Sequence, residues 1–491
     1  MRSMIKYLIS LTGIVCFTIS GTLAVERPTH KKTVFVQLFE WRWDDIAKEC
    51  ENVLGPAGYA AVQISPPNEH SDHLAKQFHG EHPWWLRYQP VSYQLHSRSG
   101  NPTQFAAMVK RCNAVGVKIY ADTIINHMAT TGDRGVAGTA FNRKKKQYAQ
   151  FQKNDFHTDC IISQQDYQWS NDAQLRQQRA NNTRLCQLAD LPDLNTGDAK
   201  VRTKIQRYLH TLQDLGVGGI RIDAAKHMHP EDIQAILNGL DDELFIFQEV
   251  IDSGKQPVSV NEYLTIANVT EFNYSQGIGE IFSTGKLTEL ATLNEQGGLL
   301  PSEKAVVFID NHDNQRGHGM AAKLNHRSGK TYDLASIFML AWPYGYPKVM
   351  SSYEWGGKND NLGPPHDQAG NTLPVYNSDG SVNCFGNQWV CEHRRPAMAN
   401  MVAFRNALVS ASAQQVTHWW DNGNNQIAFA LSTSKNAVQS SGFVVSIASN
   451  KQCRPHCKQG CLRESTVILF NRKFLTQTVA NKKLALTIKV Y

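Results

Sequence analysis

The sequence predicts an α/β protein, a closed (β/α)8 TIM barrel with an inserted domain after strand 3 and a C-terminal all-β domain. Three observations predict it. Short β-branched runs alternate with amphipathic helical stretches from about residue 33 to residue 351. A polar stretch without apolar period interrupts this alternation once, between the third strand and the next helix. After about residue 409 only short strand-like runs remain.

The elements follow in chain order. Strands are predicted at 33–39, 59–64, 117–121, 219–222, 244–248, 271–274, 305–309 and 348–351. Helices are predicted at 43–54, 103–115, 199–215, 231–240 and 332–341. Later strand-like runs lie at 426–431, 442–447, 466–470 and 484–491. We therefore expect the barrel to comprise 25–127 and 194–408, the inserted domain 128–193, and a β-sandwich 409–491.

The first 24 residues have the parts of a secretory signal. Arg2 and Lys6 precede an apolar run at 7–19, and the small residues before position 25 suit cleavage after Ala24. The apolar run is too short to cross a bilayer comfortably. We therefore expect a secreted, extracellular protein with no membrane partner.

The composition is that of a globular protein. Of the 491 residues 19% are charged and 9% are aromatic, which excludes a disordered chain. The net charge of +7 is mild for this length, and the basic run 143–146 is interpreted as a solvated loop, so we expect no nucleic-acid partner. There are ten cysteines, and export favours disulfides over metal clusters.

Four acidic residues stand at predicted strand ends: Asp122, Asp223, Glu249 and Asp313. The carboxyl ends of barrel strands meet at one rim, so the four side chains are expected to converge there, together with Arg221. Taken singly, each acid is better explained as a helix cap or a salt-bridge residue. Their shared position on one rim favours an active site.

The stretches that carry these acids resemble the four signature segments of the α-amylase family of glycoside hydrolases. They read ADTIINH at 121–127, GIRIDAAKH at 219–227, FIFQEVI at 245–251 and FIDNHDNQRGHG at 308–319. The likeness is greatest to the animal-type, chloride-binding members and their bacterial relatives. It continues in LFEWRW at 38–43, PWWLRYQPVSY at 83–93 and WVCEHR at 389–394, and it covers about residues 33–435.

The resemblance implies a secreted, monomeric enzyme that hydrolyses internal α-1,4 bonds of starch or glycogen with retention. Asp223 would be the nucleophile, Glu249 the acid and then the base, and Asp313 the stabiliser of the transition state. This chemistry needs two carboxyls about 5–5.5 Å apart, one ionised and one protonated. Arg221 would help to keep Asp223 charged, and the apolar run before Glu249 suits an acid that retains its proton.

Flat rings and hydrogen-bonding side chains at the rim suit an α-glucan substrate. The expected substrate-binding residues are Trp84, Trp85, Tyr88, Gln89, Asp122, His127, Lys226, His312 and His318. Core packing is the alternative for the tryptophan pair. We favour the site, because two adjacent tryptophans do not easily face one core.

The resemblance also implies two ion sites. A structural Ca²⁺ would be held by the side chains of Asn126 and Asp193 and by the carbonyls of Arg184 and His227, which suits a hard cation. The alternative is that Asp193 is only a turn residue after a proline. An activating Cl⁻ would be held by the following residues: Arg221, Asn311 and Lys348.

Lys348 departs from the family, because most animal members have arginine there. Lysine keeps the charge but loses the planar fork of donors, so we expect chloride to activate with weaker affinity. Family pairing implies the disulfides Cys50–Cys112, Cys160–Cys186 and Cys384–Cys391. Cys453, Cys457 and Cys461 are not family-like, and either two of them pair or they form a metal site with a nearby histidine.

Two other functions stay open at this point. A transglycosylase of the same family would differ only in how an acceptor sugar competes with water. A non-catalytic carbohydrate-binding relative is disfavoured, because all three expected catalytic carboxylates are present.

Overall fold

The computed structural model describes residues 33–72 and 82–433, apart from 358, 369 and 387, and the backbone of three strands at 443–448, 467–471 and 487–488. The predicted secretory signal at 1–24 lies outside the described residues, and so do Cys453, Cys457 and Cys461.

Parallel strands form the centre of the molecule. The strands up to residue 351 are β1 Phe35–Leu38, β2 Ala61–Ile64, β3 Glu69–His70, β4 Pro90–Ser92, β5 Lys118–Thr123, β6 Gly219–Ile222, β7 Phe245–Gln248, β8 Asn268–Thr270, β9 Ala305–Val307 and β10 Tyr346–Ser351. Eight of them close into a barrel in the order β1-β10-β9-β8-β7-β6-β5-β2, and β3 pairs with β4 in a small antiparallel sheet. All neighbours within the barrel are parallel, so the predicted (β/α)8 barrel is confirmed.

Helices follow most of the barrel strands. They are α1 Trp43–Glu49, α2 Gly55–Ala57, α3 Pro102–Ala114, α4 Ala173–Leu185, α5 Ala199–Asp214, α6 Pro230–Leu237, α7 Phe272–Thr284, α8 Lys330–Ala341 and α9 Pro396–Ser410. Their ends follow local capping chemistry. The Asn101 side chain accepts from the Gln104 N–H at the start of α3, and Asp198 accepts from the Lys200 N–H at the start of α5.

The strand predicted at 271–274 is wrong. The sixth barrel strand, β8, ends at Thr270, and α7 begins two residues later. Glu271 stands between them as the helix cap, with its Oε1 accepting from the Asn273 N–H at 3.0 Å. The buried Tyr274, Ile278 and Phe282 recur every four residues, which is a helical period.

In addition to α7 and the three-residue α2, helices α4 and α9 were not predicted. Helix α4 lies inside the polar interruption and buries only Ala180, Thr183 and Arg184, so it has no apolar stripe to reveal it. Its sequence signal is the cap, since Asp172 accepts from two N–H groups of the first turn. Helix α9 connects the barrel to the C-terminal strands.

The inside of the barrel is layered, because alternate residues of each strand point inward. An aromatic layer fills the amino-terminal end, where the Phe35 ring lies 5.3 Å from Tyr120, 5.6 Å from Phe247 and 4.9 Å from Tyr346. Two residues further along the strands comes a fully buried polar layer. Its members are Gln37, Gln63, Asp122, Arg221 and Lys348. The polar layer therefore lies beneath the carboxyl-terminal rim.

The three disulfides that the resemblance implies are present: Cys50–Cys112, Cys160–Cys186 and Cys384–Cys391. The second lies within the interruption between β5 and α5, whose two ends pair through a bridge of His127 with Asp193.

An antiparallel sheet follows α9. Its strands are β11 Gln415–Asp421, β12 Gln426–Ser432, β13 Phe443–Ala448, β14 Val467–Asn471 and β15 Thr487–Ile488, and they pair in sequence order. The predicted runs coincide with β12, β13 and β14, whereas β11 was missed. The exact domain bounds and the sandwich stay predictions. Among the described residues, no helix combines the length and apolarity that crossing a membrane requires.

Candidate active site

Four acidic side chains meet at the carboxyl-terminal rim, around one guanidinium. Nη1 of Arg221 donates to Asp122 Oδ1 at 2.6 Å and to Asp223 Oδ1 at 2.8 Å. Its Nη2 lies 2.7 Å from Glu249 Oε1. Asp313 follows β9 on the same rim and raises the pKa of Asp223 by its charge. The acids that follow separate strands in sequence therefore form one cluster.

A strained backbone holds the second carboxyl. Ala224, directly after Asp223, has a left-handed φ of 50°, which a residue with a side chain rarely adopts. In this conformation its N–H donates to Glu249 Oε2 at 3.0 Å. Glu249 thus has the Ala224 N–H at one oxygen and Arg221 at the other, which fixes the carboxyl beside Asp223.

The electrostatic balance at the rim keeps protons on part of the cluster. Burial raises the pKa of Asp223 well above its ordinary value, Arg221 opposes that rise, and the other three acids add to it. Burial and Glu249 raise the pKa of Asp313 to about 7. Arg221 thus acts in the expected direction, but burial outweighs it. Burial thus favours the protonated forms of Asp223 and Asp313, and Arg221 favours their ionised forms.

His312 links the acids to an aromatic wall. Its Nε2 lies 3.1 Å from Asp313 Oδ2. Its ring is stacked between Phe39, with centroids 5.0 Å apart, and Tyr88, with centroids 4.9 Å apart. Burial, with the charges of Arg221 and other nearby cations, holds the pKa of His312 well below its ordinary value. The imidazole is therefore neutral.

Tyr88, Trp84, His318 and Trp85 are further residues predicted to bind substrate. The Tyr88 hydroxyl donates to Asp122 Oδ2 at 2.9 Å. The Trp84 ring is 5.6 Å from both His312 and His318, and His318 is exposed at the rim. Trp85 is half-buried, and its Nε1 donates to Asn361 Oδ1 at 3.0 Å.

Three of the residues predicted to bind substrate form hydrogen bonds with other protein groups. Oε1 of Gln89 accepts from two successive backbone N–H groups, at 130 and 131, and so holds the start of the inserted segment. Nε2 of His127 donates to the Tyr88 carbonyl at 3.0 Å. Nζ of Lys226 donates to the Ile251 carbonyl at 2.5 Å and to the Gln256 side chain. These side chains support the wall from behind.

Two site residues were missed by sequence reasoning. Gln37 lies in the polar layer and contacts His312, and its signal is a lone amide in an otherwise apolar strand. The Arg316 guanidinium lies over the Trp84 ring at 5.9 Å and the Trp355 ring at 4.2 Å, and its Nη1 donates to the His312 carbonyl at 3.0 Å. Arg316 lies in the segment at 308–319, where several other polar residues were predicted as site residues but Arg316 was not.

The residues expected at the calcium site lie close together. Oδ1 of Asn126 and Oδ1 of Asp193 are buried oxygen atoms with no hydrogen-bond partner. The other Asp193 oxygen lies 2.6 Å from His157 Nδ1, and His227 Nδ1 donates to the Thr183 carbonyl, beside Arg184. No cluster of three or more His, Cys, Asp or Glu suited to a metal occurs in the described part of the chain. A cation here would depend on amide and carbonyl oxygens, which suits Ca²⁺.

The residues expected at the anion site form a buried cationic pair. Lys348 is 1% exposed, and burial and the charge of Arg221 lower its pKa to about 7. The Arg221 Nη2 that contacts Glu249 is not aligned for a hydrogen bond and has no other partner. Asn311 turns its Oδ1 to the N–H groups of Asp313 and the next residue. The guanidinium of Arg221, the ammonium of Lys348 and the amide of Asn311 are groups that can donate hydrogen bonds to an anion.

Comparison with known proteins identifies the family of this chain. The model of the family "Alpha amylase, catalytic domain" matches residues 88–256, which include Asp122, Asp223 and Glu249. The alpha-amylase of Pecten maximus is 43% identical over 433 residues, covering 84% of this chain and 82% of that protein. The chain belongs to the alpha-amylase family. As a member it is a glycoside hydrolase with alpha-amylase function.

Two more relatives of this alpha-amylase span most of its length. Human alpha-amylase 1B is 43% identical over 427 residues, which is 81% of this chain and 80% of that protein. The solved alpha-amylase I of Eisenia fetida, a glutamate-to-glutamine variant in complex with maltohexaose, is 34% identical. It covers 90% of this chain and 95% of its own, with a TM-score of 0.75.

Proposed function

We propose that this alpha-amylase cleaves internal α-1,4 bonds of starch or glycogen with retention, through a covalent glycosyl-enzyme on Asp223. One observation carries the proposal: Asp223 and Glu249 contact the two terminal nitrogens of the Arg221 guanidinium. Carboxyls held in this way are close neighbours. A retaining mechanism requires a separation of about 5–5.5 Å, whereas an inverting one needs about 6.5–9.5 Å for the attacking water.

The reaction follows in two steps. Glu249 gives its proton to the glycosidic oxygen while Asp223 attacks the anomeric carbon, so the bond to the leaving sugar breaks and the glycosyl ester forms. Glu249, now ionised, then takes a proton from water as the water oxygen attacks the same carbon and releases Asp223. Asp313 stabilises the positive charge that develops on the ring in both steps, and Arg221 stabilises the ionised partners.

The aromatic wall would hold the sugar ring next to these acids. Tyr88, His312 and His318 are the sugar contacts that the geometry supports best, because they line the rim beside Asp313. Trp84, only 5% exposed, would offer an edge to the substrate. Gln89, His127 and Lys226 would act mainly by supporting this wall.

Calcium would bind at Asn126 and Asp193, with carbonyl ligands from Arg184 and His227. The two orphaned buried oxygens support this assignment, because a buried acceptor without a partner is costly. The ion would supply charge that ties the inserted segment to the barrel at the bridge of His127 with Asp193.

Chloride would bind between Arg221, Asn311 and Lys348. Two buried cations that repel each other support an anion here, since it would favour their charged forms. We expect chloride to activate the enzyme, with weaker affinity than an arginine at 348 would give. The chloride dependence of kcat/KM tests this, and activity unchanged after exhaustive chloride removal contradicts it.

The enzyme is proposed to be secreted and monomeric. The secretory pattern of residues 1–24 and the disulfides support export, since disulfides persist in oxidising compartments. The proposed division keeps the barrel at 25–127 and 194–408, the inserted domain at 128–193 and the β-sandwich at 409–491.

Isosteric replacement of each acid tests the mechanism. Asp223→Asn and Glu249→Gln are each expected to lower kcat on soluble starch by at least about 10³-fold. With the wild-type enzyme, NMR should show the α-anomer as the first product, as retention requires. Glu271→Gln is the control, because Glu271 is an equally buried strand-end acid that caps α7 outside the cluster. Full activity of Glu249→Gln contradicts the assignment. Chain lengthening in place of new reducing ends would favour the transglycosylase.

A further inference from the structure

We propose that Gln37 is a positioning residue, which fixes the tautomer of His312 so that its Nε2–H, and not a lone pair, lies beside the carboxyl group of Asp313. The inference rests on the proposed function, because Asp313 is there the transition-state stabiliser. Gln37 belongs to no acidic segment and lies in the polar layer beneath the rim.

The amide of Gln37 is held between two side chains of different hydrogen-bonding type. Its Oε1 accepts from Lys348 Nζ at 3.2 Å, and its Nε2 lies 3.0 Å from His312 Nδ1. All three groups are buried, at 1% exposure or less. In its ammonium form, which a bound anion would favour, Lys348 has only donors, so the amide oxygen faces Lys348. The amide NH₂ must then face His312.

This orientation decides where the imidazole carries its proton. An amide NH₂ only donates, so His312 Nδ1 must be the acceptor. The neutral ring then has its proton on Nε2, which lies 3.1 Å from Asp313 Oδ2. The partial positive charge of an N–H at this distance is favourable beside a carboxylate, whereas the opposite tautomer would place a lone pair there.

Two stacked aromatic rings fix the plane of the His312 imidazole. It is stacked between Phe39 at an interplanar angle of 27° and Tyr88 at 9°, so its plane is fixed. Only the hydrogen bonds within that plane can then distinguish the two nitrogens. The series from Lys348 through Gln37 and His312 therefore sets the position of a proton beside Asp313, which follows β9, two strands away from β1.

Two near-isosteric substitutions separate this role from simple packing. Gln37→Glu accepts at both oxygens, so it would bind Lys348 but demand a proton on His312 Nδ1. Gln37→Met fills similar space without any hydrogen bond, and Asp313 alone would then favour the Nε2–H form. We expect Gln37→Glu to lower kcat by about 10- to 100-fold with little change in KM, and Gln37→Met to lower it by less than about fivefold.

Gln248→Glu is the matched control. Gln248 is as buried as Gln37, but it follows Phe247 on β7 and so faces outward, where its Nε2 donates to the Tyr263 carbonyl at 3.0 Å. The same buried carboxylate there should change kcat by less than about twofold and leave the His312 signals unchanged.

The tautomer itself is read by ¹H–¹⁵N NMR of histidine-labelled enzyme, with the His312 signals assigned from their loss in His312→Asn. The wild type and Gln37→Met should show His312 protonated at Nε2. Gln37→Glu should show the proton at Nδ1 or at both nitrogens.

Protonation of His312 at Nδ1 in the wild type would overturn the inference, and so would equal kcat losses for Gln37→Glu and Gln37→Met. If Gln37→Glu does not fold, the wild-type spectrum still tests the inference, because a proton on Nδ1 contradicts it. Failure of the proposed function is seen separately, as activity in Glu249→Gln.

Discussion

Replacement of Asp193 by asparagine is expected to abolish the stabilisation of this enzyme by calcium. Asp193 is 2% exposed, with one oxygen near His157 and the other without a partner. Asparagine keeps the shape of the side chain but removes the negative charge and replaces one acceptor oxygen by a donor NH₂. A hard divalent cation depends on that charge, so affinity falls while the fold persists.

The magnitude follows from mass action. A ligand that binds only the folded state stabilises it by about 2.7 kcal/mol at 100 Kd and about 4.1 kcal/mol at 1,000 Kd. One kcal/mol raises Tm by about 2–4 °C in domains of 150–250 residues and by less, about 1–2 °C, in a chain of this length. The wild-type Tm should thus rise by roughly 3–8 °C between chelator and millimolar calcium, and that of D193N by less than about 2 °C.

Thermal unfolding at one fixed scan rate, in EDTA and across a calcium titration, measures the effect. Asp190→Asn is the matched control, because Asp190 lies three residues earlier, is 49% exposed and pairs with Arg143. It should keep the full calcium-dependent rise. A rise in D193N equal to that of the wild type would refute the assignment of Asp193 as a ligand.

Two further predictions concern stability. Burial raises the pKa of Glu49, but the hydrogen bonds and charges of His393 and Arg394 outweigh it and bring the pKa to about 2, below the ordinary 4.5. A lowered carboxyl pKa stabilises the fold above about pH 4.5 and ceases to do so as the pH falls toward 2. Glu49→Gln should therefore cost about 3 kcal/mol at pH 7 and flatten the acid limb in denaturant titrations, whereas parallel pH curves would contradict this. Removal of Cys50–Cys112, which spans 62 residues, should cost about 4 kcal/mol, and removal of Cys384–Cys391, which spans 7, about 2.5 kcal/mol. Urea midpoints of the paired Cys→Ser variants measure both, and the reverse order would be inconsistent with loop-closure entropy.

The barrel could be predicted because its signals are local. A buried parallel strand is a short apolar run, and each run here ends in a polar residue at the rim. The strand wrongly predicted at 271–274 shows where such local signals fail. Glu271 and the aromatic residues after it match a strand by composition, and only the cap geometry shows that the helix has already begun.

The four acids could be predicted for the same reason, since each lies near the carboxyl end of a barrel strand or after it. The protonation states of these acids could not be predicted from the sequence. Arg221 was expected to keep Asp223 ionised, but the outcome depends on burial and on Glu249, Asp122 and Asp313 together. These charges come from four separate strands and add up only after the barrel has closed.

The same reasoning explains why Gln37 escaped notice. Its two contacts are 311 and 275 residues away in sequence, and both lie across the seam where the first strand meets the last ones. No local sequence motif can indicate such a contact, because both partners lie far from Gln37 in the sequence. A lone glutamine in FVQL is therefore ambiguous until β10 lies beside β1 and gives the amide a donor to face. The positions of the acids can therefore be predicted from the sequence, but their protonation states depend on contacts that form only when the barrel closes.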